Sequence, residues 1–141
     1  MYMNEKSLKL LVVMLRASQT VTDLVKKDMK EYGINPTEFT VLELLYNKGD
    51  QPIQKIGEKI LLASSSITYV VDQLEKKSFV KRVDCPDDRR IKFASITEYG
   101  IEFMDKIFPQ HEERIREIFN NLTEEEIDKS IELFKKIGLQ E

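Results

Sequence analysis

The chain has 141 residues, 22 of them basic and 25 acidic, for a net charge of −3; that is one domain's length. Its longest purely apolar run, Leu10–Leu15, has six residues, against about 20 needed to cross a bilayer, so a transmembrane helix is excluded. One His, one Cys and no G-x-x-x-x-G-K-[ST] or G-x-G-x-x-G motif exclude the common zinc, nucleophile and phosphate-loop devices, so no enzyme, metal or cofactor is expected.

Residues 5–31 read as one long helix. Leu8, Leu11, Val12 and Leu15, then Val21, Leu24 and Val25, recur at helical spacing, with no Pro or Gly before Gly33. Leu10, Val13 and Met14 fill its other faces. A helix apolar all round is buried on more than one side, and in a chain this short the expected second partner is another copy. Asn35-Pro36-Thr37-Glu38 then opens a second helix, with an N-cap, Pro at the first position and Glu at the third. Its stripe is Phe39, Leu42 and Leu45. Gln51-Pro52 opens a short third helix through Leu61, with Ile53, Ile56 and Ile60 inward. Leu62-Ala63 makes a tight turn, and Ser64 caps a fourth helix, Ser65–Lys77, whose inward stripe is Ile67, Val70, Val71 and Leu74.

The period then changes. Phe79–Val83 reads as a strand, Asp84–Arg90 as a turn-rich loop and Ile91–Ile96 as the returning strand. Thr97 caps a fifth helix carrying Tyr99, Phe103, Met104, Ile107 and Phe108. Pro109 is expected to kink or break it before it resumes to Asn120. Thr123–Glu126 is a capping box for a last helix with Ile127, Ile131, Phe134 and Ile137, ending near Gly138. The expected fold is mainly α with a small two-stranded β wing: a winged helix-turn-helix flanked by N- and C-terminal helices.

Charge is distributed unevenly. Residues 48–92 carry a net +3, residues 98–141 a net −6, and residues 1–47 none. DNA feels the local field within a Debye length of roughly 8–10 Å, so the negative total does not exclude it. With the fourth helix's stripe inward, Ser64, Ser65, Thr68, Tyr69 and Asp72 face outward, with Ser66 at the margin. Small hydroxyls let a helix approach a groove, and its N-terminus attracts phosphate. Capping and solvation would explain a serine run alone; three serines followed by outward Thr and Tyr fit a groove better. The wing tip holds Arg89 and Arg90 beside Asp87 and Asp88. An arginine there can enter a minor groove, held extended by a carboxylate; a solvated charged turn is the plainer alternative. The candidate DNA-binding residues are therefore Ser64, Ser65, Ser66, Thr68, Tyr69, Asp88, Arg89 and Arg90.

Residues 53–97 resemble the MarR family of dimeric bacterial regulators. The matching pieces are Ile56-Gly57, Ser66-Ile67-Thr68, Asp72-Gln73-Leu74-Glu75-Lys76-Lys77, and above all Pro86-Asp87-Asp88-Arg89-Arg90 followed by Ile96-Thr97-Glu98-Tyr99-Gly100. The family's D-x-R wing falls on Asp88 and Arg90, and its L-T-x-x-G on Ile96-Thr97-x-x-Gly100. Ser78 stands where the family usually has Gly. Serine is strained in the left-handed conformation at a helix end, which leaves room for another cap shape. The resemblance implies one domain over 1–141. Residues 1–34 and 98–141 are its dimerisation helices, and 35–97 its DNA-binding part. Leu8, Leu11, Leu15, Phe119, Ile127, Ile131 and Phe134 would form the dimer interface. It further implies a cytoplasmic homodimer, a palindromic double-stranded DNA operator, no membrane partner, and repression relieved by a small molecule or oxidant. Residues 35–45 and 51–72 look closest to the branch answering to quinones and hydroquinones.

The sensing chemistry has two readings. Thiol sensors of the family carry their cysteine in the first helix or near the N-terminus. Here the only thiol, Cys85, lies in the wing loop, with Arg82 favouring its thiolate and Asp84 and Asp87 opposing it. A reversible aromatic ligand is the other reading, in a pocket between the first, second and fifth helices, with Met14, Phe39 and Phe103 as candidate lining. A winged helix that binds protein instead of DNA is the alternative function.

Overall fold

A computed structural model describes residues 5–60 and 64–138, without the side chains of residues 64 and 65. The described residues form six helices and three strands: α1 (Lys6–Lys30), α2 (Pro36–Lys48), β1 (Gln51–Pro52), α3 (Ile53–Lys59), α4 (Ser64–Lys76), β2 (Val80–Asp84), β3 (Lys92–Ile96), α5 (Glu98–Ile118) and α6 (Glu124–Gly138). The expected Leu62-Ala63 turn lies outside the described residues.

Local chemistry explains most boundaries. Glu5 accepts a hydrogen bond from Ser7 N and opens α1, which ends where Gly33 takes φ 77°. The capping box of α2 is complete: Glu38 N donates to Asn35 Oδ1 at 2.8 Å and Asn35 N to Glu38 Oε1 at 3.0 Å. The box of α6 is complete too, between Thr123 and Glu126. The core joins α2, α3, α4 and the sheet to the ends of α1 and α5. Met29, Val41, Leu42, Leu45, Ile56, Val71, Leu74 and Met104 are fully buried there. All four expected inward residues of α4 are buried.

Four features differ from expectation. Helix α4 already includes Ser64, so that serine is its first helical residue rather than its cap. The wing has a third strand: β1 pairs antiparallel with β3, Gln51 opposite Ala94 and Pro52 opposite Phe93. Pro52 suits this edge position, where no further strand needs its missing N–H. Helix α5 runs through Pro109 without a break. Pro109 and Asp105 are both exposed, so water can satisfy the carbonyl that Pro109 leaves without a donor, while Phe108 and His111 on either side hold the helix against Phe39. Finally, Ser78 does adopt the left-handed conformation, φ 66°. Phe79 N bonds Leu74 O at 3.1 Å and Ser78 N bonds Glu75 O at 3.0 Å, the two bonds of a Schellman cap.

Candidate nucleic-acid interface

Helix α4 presents its stripe to the core, and that decides its outer face. Ser66, Thr68 and Tyr69 are exposed, Tyr69 by 64%. The side chains of Ser64 and Ser65 lie outside the described residues, although both occupy the first turn of the helix. The first turn of a helix carries a partial positive charge.

The second element is the wing. Strands β2 and β3 pair from Val80 opposite Ile96 to Asp84 opposite Lys92, and the last pair is also an ion pair between side chains. Cys85 N donates to Ile91 O at 3.1 Å, and Ile91 N to Asp88 O at 3.0 Å, closing the tip. Arg90 lies on it as expected. Its Nε and Nη2 donate to Asp88 Oδ1 and Oδ2, both at 3.0 Å, and its backbone N also donates to Oδ1 at 3.0 Å. The Arg90 side chain is 90% exposed, that of Asp88 30%. The carboxylate therefore braces the guanidinium from behind and leaves its remaining N–H donors facing solvent. The side chain and backbone of Arg90 hold the Asp88 carboxyl below its ordinary range. Arg89 is exposed beside it.

Beyond the shared core, two polar joints tie the wing to α4. One is the Ser78 cap. The other is Arg82 on β2, whose Nη2 reaches Asp72 Oδ1 and Nη1 reaches Glu75 Oε1, each at 2.6 Å. The wing also rests on α5. Thr97 caps α5 by accepting from Gly100 N at 2.9 Å and donates its hydroxyl to Ser78 O at 2.7 Å. Between wing and α3 lies a cleft of about 430 Å³, lined among others by Thr68, Arg82, Cys85 and Arg90. Cys85 is half-buried in its wall and forms no disulfide.

The candidate effector residues are not brought together. Phe39 packs on Phe108 and, at 4.4 Å between ring centroids, on His111. Phe103 stacks on Phe79 at 4.2 Å, below the wing. Met14 is half-buried on the outer half of α1. Sequence reasoning missed a polar cluster where α1 meets α5. The Asp28 side chain is 1% exposed, with Oδ2 at 3.3 Å from His111 Nδ1 and Oδ1 at 3.5 Å from Arg114 Nε. Oδ1 accepts no hydrogen bond. Burial and then Asp28 push the Tyr32 hydroxyl above its ordinary range. A cleft of about 270 Å³ adjoins the cluster, lined by Leu24, Lys27, Asp28, Glu31 and Arg114 among others. One signal was present: Asp28 follows Val21 and Val25 at helical spacing, a place that the apolar stripe would fill.

A helix-turn-helix whose second helix turns hydroxyls outward beside an arginine-tipped wing defines a winged-helix, DNA-binding type of domain. The MarR family pattern matches residues 34–92. The chain is 54% identical over 137 residues to the HTH-type transcriptional regulator MhqR of Bacillus subtilis, covering 97% of this chain and 94% of that one. It is 44% identical to a second regulator of that organism, YkoM, covering 96% and 88%. In fold it is similar to Sco3205 of Streptomyces coelicolor, a MarR family transcriptional regulator solved in complex with DNA, at TM-score 0.89, 23% identity and coverage of 98% and 94%. The chain belongs to the MarR family. Regulators of this family are in general DNA-binding proteins without enzymatic activity. No helix among the described residues is long and apolar enough to cross a membrane.

Proposed function

We propose that this protein is a homodimeric, sequence-specific DNA-binding transcriptional repressor, released from a palindromic operator by a small aromatic, quinone-like molecule. The observation that carries the DNA-binding part is the Asp88-braced, outward-facing Arg90, which shares a cleft with Thr68 of α4, whose Ser66 and Tyr69 are exposed as well. Helix and wing together can span a major groove and the minor groove beside it.

Dimerisation is supported by apolar surface that one chain leaves open. Leu8, Leu11 and Leu15 of α1 and Ile131 and Phe134 of α6 are 47–58% exposed, and α6 buries no residue at all. A helix of that kind is not held by its own propensity and needs a packing partner. Residues 1–34 and 98–141 would thus join two copies and set the spacing of two 35–97 reading units. An effector acts by favouring a spacing that the operator does not fit. The α1–α5 junction suits this role: a cleft lined by Leu24, Lys27 and Arg114 adjoins Asp28, whose Oδ1 is an acceptor that an aromatic hydroxyl would satisfy.

The test is to recover bound DNA from cells, sequence it, and titrate the purified protein with the enriched duplex at several salt concentrations. A palindrome bound with a steep salt dependence by a species twice the 16.5 kDa of one chain is expected. A monomer, or the absence of any enriched sequence, overturns the proposal and leaves a protein-binding winged helix.

A further inference from the structure

We propose that Arg82 is a positioning residue for operator recognition: its fork onto Asp72 and Glu75 sets the angle between the wing and the recognition helix α4. The inference rests on the DNA-binding reading above. Arg82 is at the third position of β2, and its side chain is 26% exposed. Its two terminal nitrogens are each 2.6 Å from a different carboxylate, and those carboxylates stand three residues apart on the outer flank of α4. The planar, two-pronged guanidinium fixes the direction of both bonds, whereas the donors of an ammonium rotate freely.

The geometry makes this contact the angle-setting one. Helix α4 and β2 are otherwise joined at the base of the strand, by the Ser78 cap, where the backbone bonds of Ser78 and Phe79 to Glu75 and Leu74 form the corner, and by Val80, buried in the core with Leu74. Contacts with α4 at the base alone leave the outer part of β2 free to tilt against that helix. Arg82 adds a second hold about 10 Å further along the strand, at ~3.3 Å per residue. Without it, a swing of about 10° carries the far end of the strand by roughly 3 Å, enough to take Arg90 out of hydrogen-bonding distance of a groove edge. The contact also occupies two carboxylates on the recognition helix that would otherwise face a phosphate backbone.

Positioning and simple charge make opposite predictions for one variant. Asp72→Asn with Glu75→Gln keeps both side chains' shapes and leaves Arg82 in place. It removes two negative charges from the DNA side, so simple electrostatics expects tighter binding. Positioning expects weaker binding, because neutral amides hold the guanidinium less firmly. The probe is a duplex that the wild-type protein selects from a random-sequence pool, with binding read by fluorescence anisotropy at fixed salt. We expect the double variant to bind at least tenfold more weakly. We also expect Arg90→Ala to cost less than half of its wild-type factor in that background, since a misplaced wing has less to lose. Arg82→Lys, which keeps the charge but not the fork, is expected to show the same loss, and its thermal melt verifies folding. Tighter or unchanged binding by the double variant, or an undiminished Arg90→Ala effect, overturns the role of Arg82 and leaves the DNA-binding reading intact. A wild-type protein that selects no sequence overturns that reading and this inference with it.

Discussion

Gly100 is where the wing, the cap of α4 and the start of α5 meet, and Gly100→Ala tests that joint. A Cβ built on Gly100 would lie 2.4 Å from Phe79 O and 2.7 Å from Ile96 Cγ1. The Ile96 side chain can turn aside. The Phe79 carbonyl cannot, because it accepts from Thr97 N at 3.0 Å, and Thr97 itself caps α5 and bonds Ser78 O. Overpacking of this kind costs about 1–3 kcal/mol, and a strained backbone bond adds roughly 0.5–1. Alanine's better helix propensity returns at most about 1. The net is a loss of about 2 kcal/mol, or ~4–8 °C in melting temperature for a domain of this size. The assay is a thermal melt at one fixed protomer concentration, since association makes the midpoint concentration-dependent. Operator affinity measured well below the transition should fall as well, because the base of the wing shifts. A melting temperature at or above that of the wild type would refute the claim that this contact is tight.

Arg90→Ala is expected to weaken operator binding by roughly 1–3 kcal/mol, and Asp88→Ala to weaken it too; a tighter Asp88→Ala complex by anisotropy would mean that the carboxylate only repels DNA. Ser78→Gly should raise stability by up to ~1 kcal/mol in a denaturant titration, because a left-handed residue with a Cβ costs about 1–2 kcal/mol, offset by glycine's greater chain entropy. Lys77→Met leaves the buried Glu38 carboxylate without the ammonium that donates to both its oxygens at 2.9 and 3.0 Å; with Lys77 itself 36% exposed, a loss of roughly 1–3 kcal/mol is expected, partly recovered by adding Glu38→Gln. Cys85→Ser should still release DNA when quinones or phenols are titrated in with reductant present; a mutant that stays bound while the wild type releases and gains an adduct at Cys85 would make this a thiol sensor.

What was legible in the sequence is local. The inward stripe Ile67, Val70, Val71 and Leu74 declares itself within two helical turns, and the Asn35/Glu38 and Thr123/Glu126 boxes within four residues. Arg90 was legible because its brace, Asp88, is two residues away. What escaped depends on contacts between distant segments. Strand β1 is two residues long and exists only by pairing with residues 93 and 94. His111 sits in the polar stretch Gln110-His111-Glu112-Glu113, yet Asp28, 83 residues earlier, and Phe39 enclose it. Arg82 reads as one more basic residue in a charged stretch until β2 folds beside α4. Ser78 was judged from its intrinsic preference, which the two Schellman bonds and the Thr97 hydroxyl override.

The same contacts explain how a reading head assembled from short elements holds its shape. One hydrophobic core reaches α4, the base of the wing and α5; polar joints at their corners fix the angles between them. Lys77, just past the end of α4, donates at once to the buried Glu38 of α2 and to the carbonyl of Gly33, at the corner after α1. Ser78 follows with the cap, Arg82 with the fork, and Thr97 ties β3 and α5 back to Ser78. Hydrogen bonds depend steeply on distance and angle, whereas apolar contact is nearly non-directional. A polar joint therefore specifies an angle that packing alone leaves loose. The cost is that each joint holds groups needing their partners, such as the Glu38 carboxylate at 3% exposure, so removing one partner costs more than the joint's own net contribution. Substitutions at these corners should accordingly change operator affinity and thermal stability together, whereas Arg90, exposed at the tip and paired with Asp88 two residues away, should change affinity alone.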